Sequence, residues 1–598
     1  MDKQSVKKYT WNLTSLGSPQ TMPREQATIS RAWHLFKKKW EPRTDYLSSP
    51  RILRKALDDY ERLQRTYGFE GNTGYYFWLC TQQNNQDPTT KAGFHRAEEF
   101  GSRMQNLVLF FTYRIAHISP SMQKKMLASA ACVPYKHFLA RLFAEAPHLL
   151  SAPEEKILTL TNASAHGDWV RMTSSLLSWQ ERPIHTPSGV LQKNFSQITS
   201  LTSDPLKTTR DSAAQALNDI LQSYEPVAEA ELNAILSHKK TVDDLRAFPR
   251  PDTSRHMSDD IETPIVDALV HAVSKTYAIS HRYYRLKAKL MHVQRLAYHE
   301  RNVPLSFVTT RTTYSFEETM DIIKRVLKQL DPSFLTIYES FMAQRRVDVF
   351  PQKGKSGGAF CTHGTIAQPV YILLNHTNTL HDVLTFAHEL GHGINDELMK
   401  RHQNALTFGT TLATAETAST FMEDFVFEEL MRDADDNLAL TLIMEKLNGD
   451  ISTIFRQIAC YQFEQELHTT FRATGYISST HIGLLFKKHM AAYMGRSVIQ
   501  SEGSQRWWIH WTHIRSFFYN YSYASGLLIS KALQASVRRD PTYISHVKEF
   551  LSTGLSSSPY DIFKKLNLDI ATPSFWDTGI NEVKNLLSQA ENLARTIR

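Results

Sequence analysis

The run His388-Glu389-Leu390-Gly391-His392 constrains this chain more than any other feature. Two histidines four positions apart lie one turn above each other on a helix, so both imidazoles can converge on a single metal ion while Glu389 projects beside them toward a metal-bound water. The pattern reads as a zinc hydrolase, and it requires a helix held rigid by packing. The flanks predict one. Thr379 and Asp382 fit a capping box that opens a helix just upstream. Leu380, Val383, Leu384, Ala387, Gly391 and Ile394 then recur at helical spacing, a stripe that would be buried with the histidines along its flank. Ahead of the helix, Val370 to Leu374 reads as a short strand and Asn375 to Asn378 as a turn.

Catalytic zinc takes three protein ligands and leaves the fourth position to water, so a further residue must approach from elsewhere. A metzincin would need glycine at position 395 and histidine at 398, and this chain has Asn395 and Leu398. Asp396, one turn beyond His392, could orient a ligand but would have difficulty reaching around to complete a tetrahedron. The better candidate is Glu416. Thr414 to Asp424 reads as a second helix on which Glu416, Ser419 and Glu423 share one face, and Leu412, Ala413, Ala415 and Ala418 surround Glu416 with small or apolar residues, unlike an ordinary charged face. Glu416 would ligate, and Glu423 would accept the other N–H of a ligating imidazole and fix its tautomer.

Four ordered segments carry a family resemblance: Gly354 to Phe360, Pro369 to Asn375, Thr385 to His392 and Ala415 to Thr420. Together they resemble oligoendopeptidase F, the bacterial branch of the thimet-oligopeptidase-like zinc peptidases. The likeness extends from Trp11-Asn12-Leu13 to the segment Pro559 to Trp576. It implies a mainly α fold: a large helical two-part body with a deep substrate channel and a small β-sheet beside the metal helix. It also implies one zinc ion held by His388, His392 and Glu416, with Glu389 as general base. The substrates would be short unfolded peptides, with folded proteins excluded from the channel. The stretch His513 to Gly526 resembles the family's histidine- and tyrosine-rich segment, although Ile514 and Arg515 stand where aromatic residues are usual. By that resemblance His513 and a nearby tyrosine would hold the tetrahedral oxyanion; Tyr519, Tyr521 and Tyr523 alternate, so which hydroxyls face the metal stays open, with Tyr523 the first choice and Tyr519 the second, and Tyr521 is also placed among the substrate-binding residues.

The expected chemistry is attack by a zinc-bound water whose pKa falls to about 7, with Glu389 taking the proton and delivering it to the leaving amine. The alternative is an inactive peptide-binding protein with a structural or absent metal; the presence of Glu389 argues against it. Gly354 to Gly358 lacks both the P-loop and the dinucleotide spacing and reads as a flexible loop. Gly357 and Gly358 would admit close backbone approach, and Ala359-Phe360-Cys361 would be an edge strand along which an extended peptide adds by main-chain hydrogen bonds.

The chain has 598 residues and a net charge of +8, but its basic residues are scattered among 60 acidic ones, with only short clusters such as Lys37-Lys38-Lys39, so no nucleic acid is expected. Cys80, Cys132, Cys361 and Cys460 lie far apart, which fits a reduced cytoplasmic protein and argues against cysteine ligation of zinc. The N-terminus has no apolar leader, and no apolar run is long enough for a bilayer, so no membrane partner is expected. A monomer or small homo-oligomer would serve. Helical periodicity dominates: Leu53, Ala56, Leu57, Tyr60, Leu63 and Tyr67 form one stripe, and Ser315 with Glu318 opens another helix by a capping box. Strand signals gather at 346–350, 359–361 and 370–374. Pro, Ser, Thr and Gly punctuate the segment 183–205, which suggests an N-terminal helical domain over 1–195 and a catalytic domain over 196–598.

Overall fold

A computed structural model describes residues 8–305, 307 and 313–597. Its architecture follows from where apolar residues recur at helical spacing. Near the N-terminus, helices α1 (Met22–Trp40), α2 (Pro50–Thr66) and α3 (Pro88–Ala116) turn their apolar faces together. Leu53, Ala56, Leu57, Tyr60 and Leu63 are all buried on α2, as their spacing predicts. The rings of Phe36 and Tyr60 meet Phe111 with centroids 5.2 Å apart, inside an aromatic cluster running from Ile29 to Phe143. The lysines after Phe36 stay at the surface end of α1, where Lys39 pairs with Asp59 at 2.6 Å.

The punctuated segment after residue 180 forms an antiparallel hairpin that the strand signals do not anticipate. Strands β1 (Glu181–Thr186) and β2 (Gly189–Asn194) pair Ile184 with Leu191 and close at Thr186 and Gly189, where Gly189 has φ of 108°. Only Ile184 is buried on these strands, so the alternation that normally marks a half-buried strand is nearly invisible in the sequence. Leu177, Ile184 and Ile198 pack into the large core around the long helix α4 (Lys207–Leu245), not into the N-terminal aromatic cluster.

The large core surrounds the site. Helix α5 (Phe316–Leu330) opens with the Ser315/Glu318 capping box. The strand signals resolve into one three-stranded sheet in which β5 (Tyr371–Leu373) lies between β3 (Val347–Asp348), parallel to it, and β4 (Phe360–Thr362), antiparallel. All three residues of β5 are buried, which explains their continuous apolar character. The N-terminal segment closes the sheet's far side: Trp11 Nε1 donates to Ile372 O at 2.8 Å and Tyr371 Oη to Asn12 O at 3.0 Å. Helix α6 (Leu380–His402) follows directly, opened by the Thr379/Asp382 capping box.

Helix α6 lies against α7 (Leu412–Arg432), which in turn packs on α10 (Tyr521–Arg539); between the latter two come α8 (Asp436–Asp450) and α9 (Gln457–Thr474). The α6–α7 crossing is close because Gly391 lacks a side chain: a Cβ there would stand 2.6 Å from Ala418 O and from Ser419 Cα. The result is the mainly helical body with a small sheet beside the metal helix.

Candidate active site

The two helices bring three donors to one point. His388 Nε2 lies 3.3 Å from Glu416 Oε2 and His392 Nε2 lies 3.7 Å from it, and the three candidate ligand atoms are all within 4.8 Å of one another. Tetrahedral zinc with bonds of about 2.1 Å needs donors about 3.4 Å apart, so this two-nitrogen, one-oxygen set fits that ion with little adjustment. Ser419, on the same face of α7, donates its hydroxyl to Glu416 Oε2 at 3.2 Å. Glu423, one turn further on, accepts from His388 Nδ1 at 3.2 Å, which leaves Nε2 as the nitrogen that would face a metal.

The electrostatics show why these donors suit a cation. Burial works against a proton on His388, yet hydrogen bonds to Glu416 and Glu423 outweigh it and raise its pKa to about 10. Burial also opposes the charged forms of the two carboxylates; His388 and His392 nevertheless draw Glu416 down to about 2, and Lys446 with His388 brings Glu423 to about 2. His392 is pushed down to about 4 by burial and by the neighbouring His388. In the absence of metal a proton on His388 thus holds the place of a positive charge. Glu389, 8% exposed, is raised to about 7, chiefly by burial; His388 and a backbone hydrogen bond from Cys361 on β4 act in the opposite direction.

A cavity of about 640 Å³ opens over the donors, and His388, Glu389, Glu416, Ala359, Glu445 and Tyr523 are among its walls. Ala359 follows the Gly357-Gly358 pair, where added Cβ atoms would meet nothing within 4 Å. The rest of that loop is tied down, contrary to the expectation of flexibility. Lys355 Nζ reaches Asp348 Oδ1 at 2.7 Å, Ser356 N donates to Gln82 O at 2.8 Å, and Asn375 Nδ2 donates to Gly358 O at 2.7 Å. Strand β4 is an edge, as expected, although its Cys361 N–H is turned toward Glu389.

The tyrosines separate cleanly. Tyr523 lines the cavity, and its ring lies 5.8 Å from those of both His513 and Tyr519. Tyr519 Oη makes a short hydrogen bond with His513 Nδ1. Burial, with Arg456 nearby, lowers the His513 pKa and so favours the neutral imidazole. Tyr521, expected to touch substrate, does not: it is fully buried, and its hydroxyl donates to Asp259 Oδ2 at 2.6 Å. The helical turn that begins at Tyr521 rotates alternate positions to different sides, so Tyr521 enters the core while Tyr523 faces the cavity. Asp396 pairs with His363 at 2.9 Å instead of orienting a ligand.

Sequence reasoning missed an ionic network behind the donors. Lys446 on α8 stands 3.0 Å from Glu423 Oε1 and in close contact with Asp424, while Lys531 on α10 joins Asp424 at 3.3 Å and Asp450 at 3.0 Å. The available signal was a charged residue on an otherwise apolar helix face: Leu442, Ile443, Lys446 and Leu447 are all buried.

The fold and the donor set define a metallo-endopeptidase. Residues 200–582 match the family model of peptidase family M3, and residues 115–178 match that of oligopeptidase F. The chain belongs to peptidase family M3. It is 23% identical over 532 residues to an oligoendopeptidase F homolog of Lactococcus lactis, covering 86% of each chain. An oligopeptidase of Bacillus subtilis is 24% identical over 489 residues, 80% of this chain and 72% of that one. Among solved structures, a Chlamydophila abortus protein assigned as a peptidase superposes with a TM-score of 0.87 at 20% identity over 98% of both chains. Oligoendopeptidase F from Enterococcus faecium gives 0.71 at 18% identity, covering 96% of this chain and 99% of that one. Among the described residues, no helix is long and apolar enough to cross a membrane.

Proposed function

We propose that this peptidase is a zinc endopeptidase of short peptides, with one zinc ion held by His388, His392 and Glu416 and with Glu389 as its general base. The observation that carries this reading is the convergence of the three donors at 3.3 and 3.7 Å with Glu389 beside them on the cavity wall. When bound, zinc supplies electrophilic polarisation of the scissile carbonyl and acidifies water. Glu389 takes the proton of the attacking water on its carboxylate and returns it to the leaving amine nitrogen. Tyr523, with Tyr519 and His513 packed on its ring, donates a hydrogen bond to the oxyanion. Glu423 holds His388 in the tautomer that leaves Nε2 free. Ala359 borders the cavity and, with the Gly357-Gly358 pair before it, would offer main chain to an extended peptide, a mode that reads backbone and so tolerates varied side chains.

All four cysteines are free, which suits the reducing cytoplasm. The deciding experiment measures metal content and cleavage of a quenched fluorescent peptide panel on the same preparation. One zinc per chain with cleavage is expected; one zinc with every short peptide left intact would mean that the site binds without turning over.

A further inference from the structure

The turn that carries Tyr519 is held in an unfavourable backbone conformation. Phe517 and Phe518 have φ of 50° and 59°, two successive bulky residues in the left-handed region that glycine normally occupies. Such a turn persists only where its surroundings over-determine it. The constraint comes from Glu464 on α9, which is fully buried. Its Oε1 accepts the backbone N–H of Phe518 at 3.1 Å, and its Oε2 accepts Asn520 Nδ2 at 2.7 Å. These are the two residues that flank Tyr519. Among the described residues Glu464 forms no ion pair; burial raises its pKa to about 7, while the two N–H donors, with Arg255 further off, favour its charged form. Tyr519 is in turn bonded to His513 and packed on Tyr523, the tyrosine of the cavity wall.

We propose that Glu464 is a positioning residue for the oxyanion-binding tyrosines: by clamping both neighbours of Tyr519 it fixes the Tyr519–His513 pair and, through ring contact, the placement of Tyr523. The inference rests on the catalytic role proposed above for these tyrosines. The chemistry specifies a carboxylate. Both of its oxygens accept, whereas glutamine offers one acceptor and one NH2 donor, which faces Asn520 Nδ2 unless that amide turns over and gives up its contact with Cys460 Sγ at 3.5 Å. Glu464→Gln therefore keeps the volume and loses one arm of the clamp. Pairing it with Asn520→Asp reverses the donor and acceptor on that arm and restores the contact.

The test measures kcat, KM and zinc content on a quenched fluorescent peptide for Glu464→Gln, Tyr519→Phe, the double variant of these two, and the Glu464→Gln/Asn520→Asp swap. Glu464→Gln is expected to lower kcat at least about tenfold, with KM within about twofold and zinc unchanged, because a misplaced donor costs transition-state stabilisation and not substrate binding. In the Tyr519→Phe background the same change should lower kcat by less than about threefold, since the two act as one unit, and the swap should recover most of the loss. A fall for Tyr519→Phe with a wild-type kcat for Glu464→Gln, or fully multiplicative losses, overturns this inference alone. A wild-type kcat for Tyr519→Phe overturns the tyrosine's catalytic role and the inference with it. Should Glu464→Gln fail to fold, Asn520→Ala opens one arm from the other side; a fall in kcat with zinc retained supports the clamp, and a wild-type kcat overturns it.

Discussion

Glu389 is squeezed between His388, Glu416 and the end of β4, and its properties follow from that crowding. Glu389→Gln keeps the shape and removes the base, so zinc content should stay at the wild-type level while peptide cleavage falls by about 10³-fold or more. A variant that still cleaves near the wild-type rate would reassign the base. The same carboxyl makes a pH prediction for the metal-free protein. Its folded pKa of about 7 lies above the ordinary value of 4.5, so the folded state holds the proton more tightly. That stabilisation is complete below the ordinary value and disappears as pH rises through about 7, a loss of up to about 3 kcal/mol. Glu389→Gln carries no such penalty, so its melting temperature relative to the wild-type apoprotein should climb across this window; a constant difference would rule out a raised pKa. Tyr523→Phe should lower kcat by about 10²-fold with zinc retained, the usual consequence of losing one oxyanion donor. At this scale the candidate donors could be named because they follow from spacing on single helices, and the structure brings His388, His392 and Glu416 together. Tyr521 could not be placed in this way, since which tyrosine leaves the core depends on the start of α10, and nothing in an alternating Tyr-x-Tyr-x-Tyr run states where that helix begins.

The elements carry the geometry between the residues. His388 and His392 ride on α6 and Glu416 on α7, so the donor set exists only if the two helices pack at the separation that Gly391 permits. A methyl group there meets backbone atoms of Ala418 and Ser419 at 2.6 Å and has no flexible side chain to displace. Gly391→Ala should therefore cost about 1 to 3 kcal/mol in denaturant unfolding and weaken zinc in competition with a chelator; unchanged metal affinity would mean that the crossing is looser than the structure indicates. Lys446 acts from α8. Lys446→Met removes the cation that holds Glu423 Oε1, and zinc affinity should fall by about 10- to 100-fold, as when other outer partners of metal ligands are lost, with Lys446→Arg retaining part of it. The capping boxes at Thr379 and Ser315 and the apolar stripes of α2 and α6 were legible because each is a local pattern. The β1–β2 hairpin escaped notice because only Ile184 is buried on it, and the packing of that one side chain on α4 is a long-range fact.

For the whole molecule, metal and fold are linked. Two of the proposed donors precede residue 395 and the third follows residue 415, so bound zinc would stabilise the packed state of α6 and α7 against any state in which they separate. Chelation should lower the melting temperature and zinc should restore it, by about 2.7 kcal/mol at a free concentration one hundred times the Kd; an unchanged melting temperature would show that metal binding does not depend on the native helix pair. The cavity of about 640 Å³ over the donors has room for a stretch of extended peptide and not for a folded domain. Short peptides in a mixture should be cut while an intact globular protein survives, as read by mass spectrometry. What the sequence alone determined is the pattern that depends on spacing within one helix: the two histidines, the glutamate between them, the carboxylate face of α7 and the caps that start these helices. Only the tertiary structure decided how close the helices come, which tyrosine faces the cavity, and that Lys446 and Glu464 stand behind the residues that meet the substrate. The contacts of Lys446 and Glu464 with those residues join positions 22 or more apart, and the pairing of buried charges and donors across such distances leaves no periodic trace in the chain.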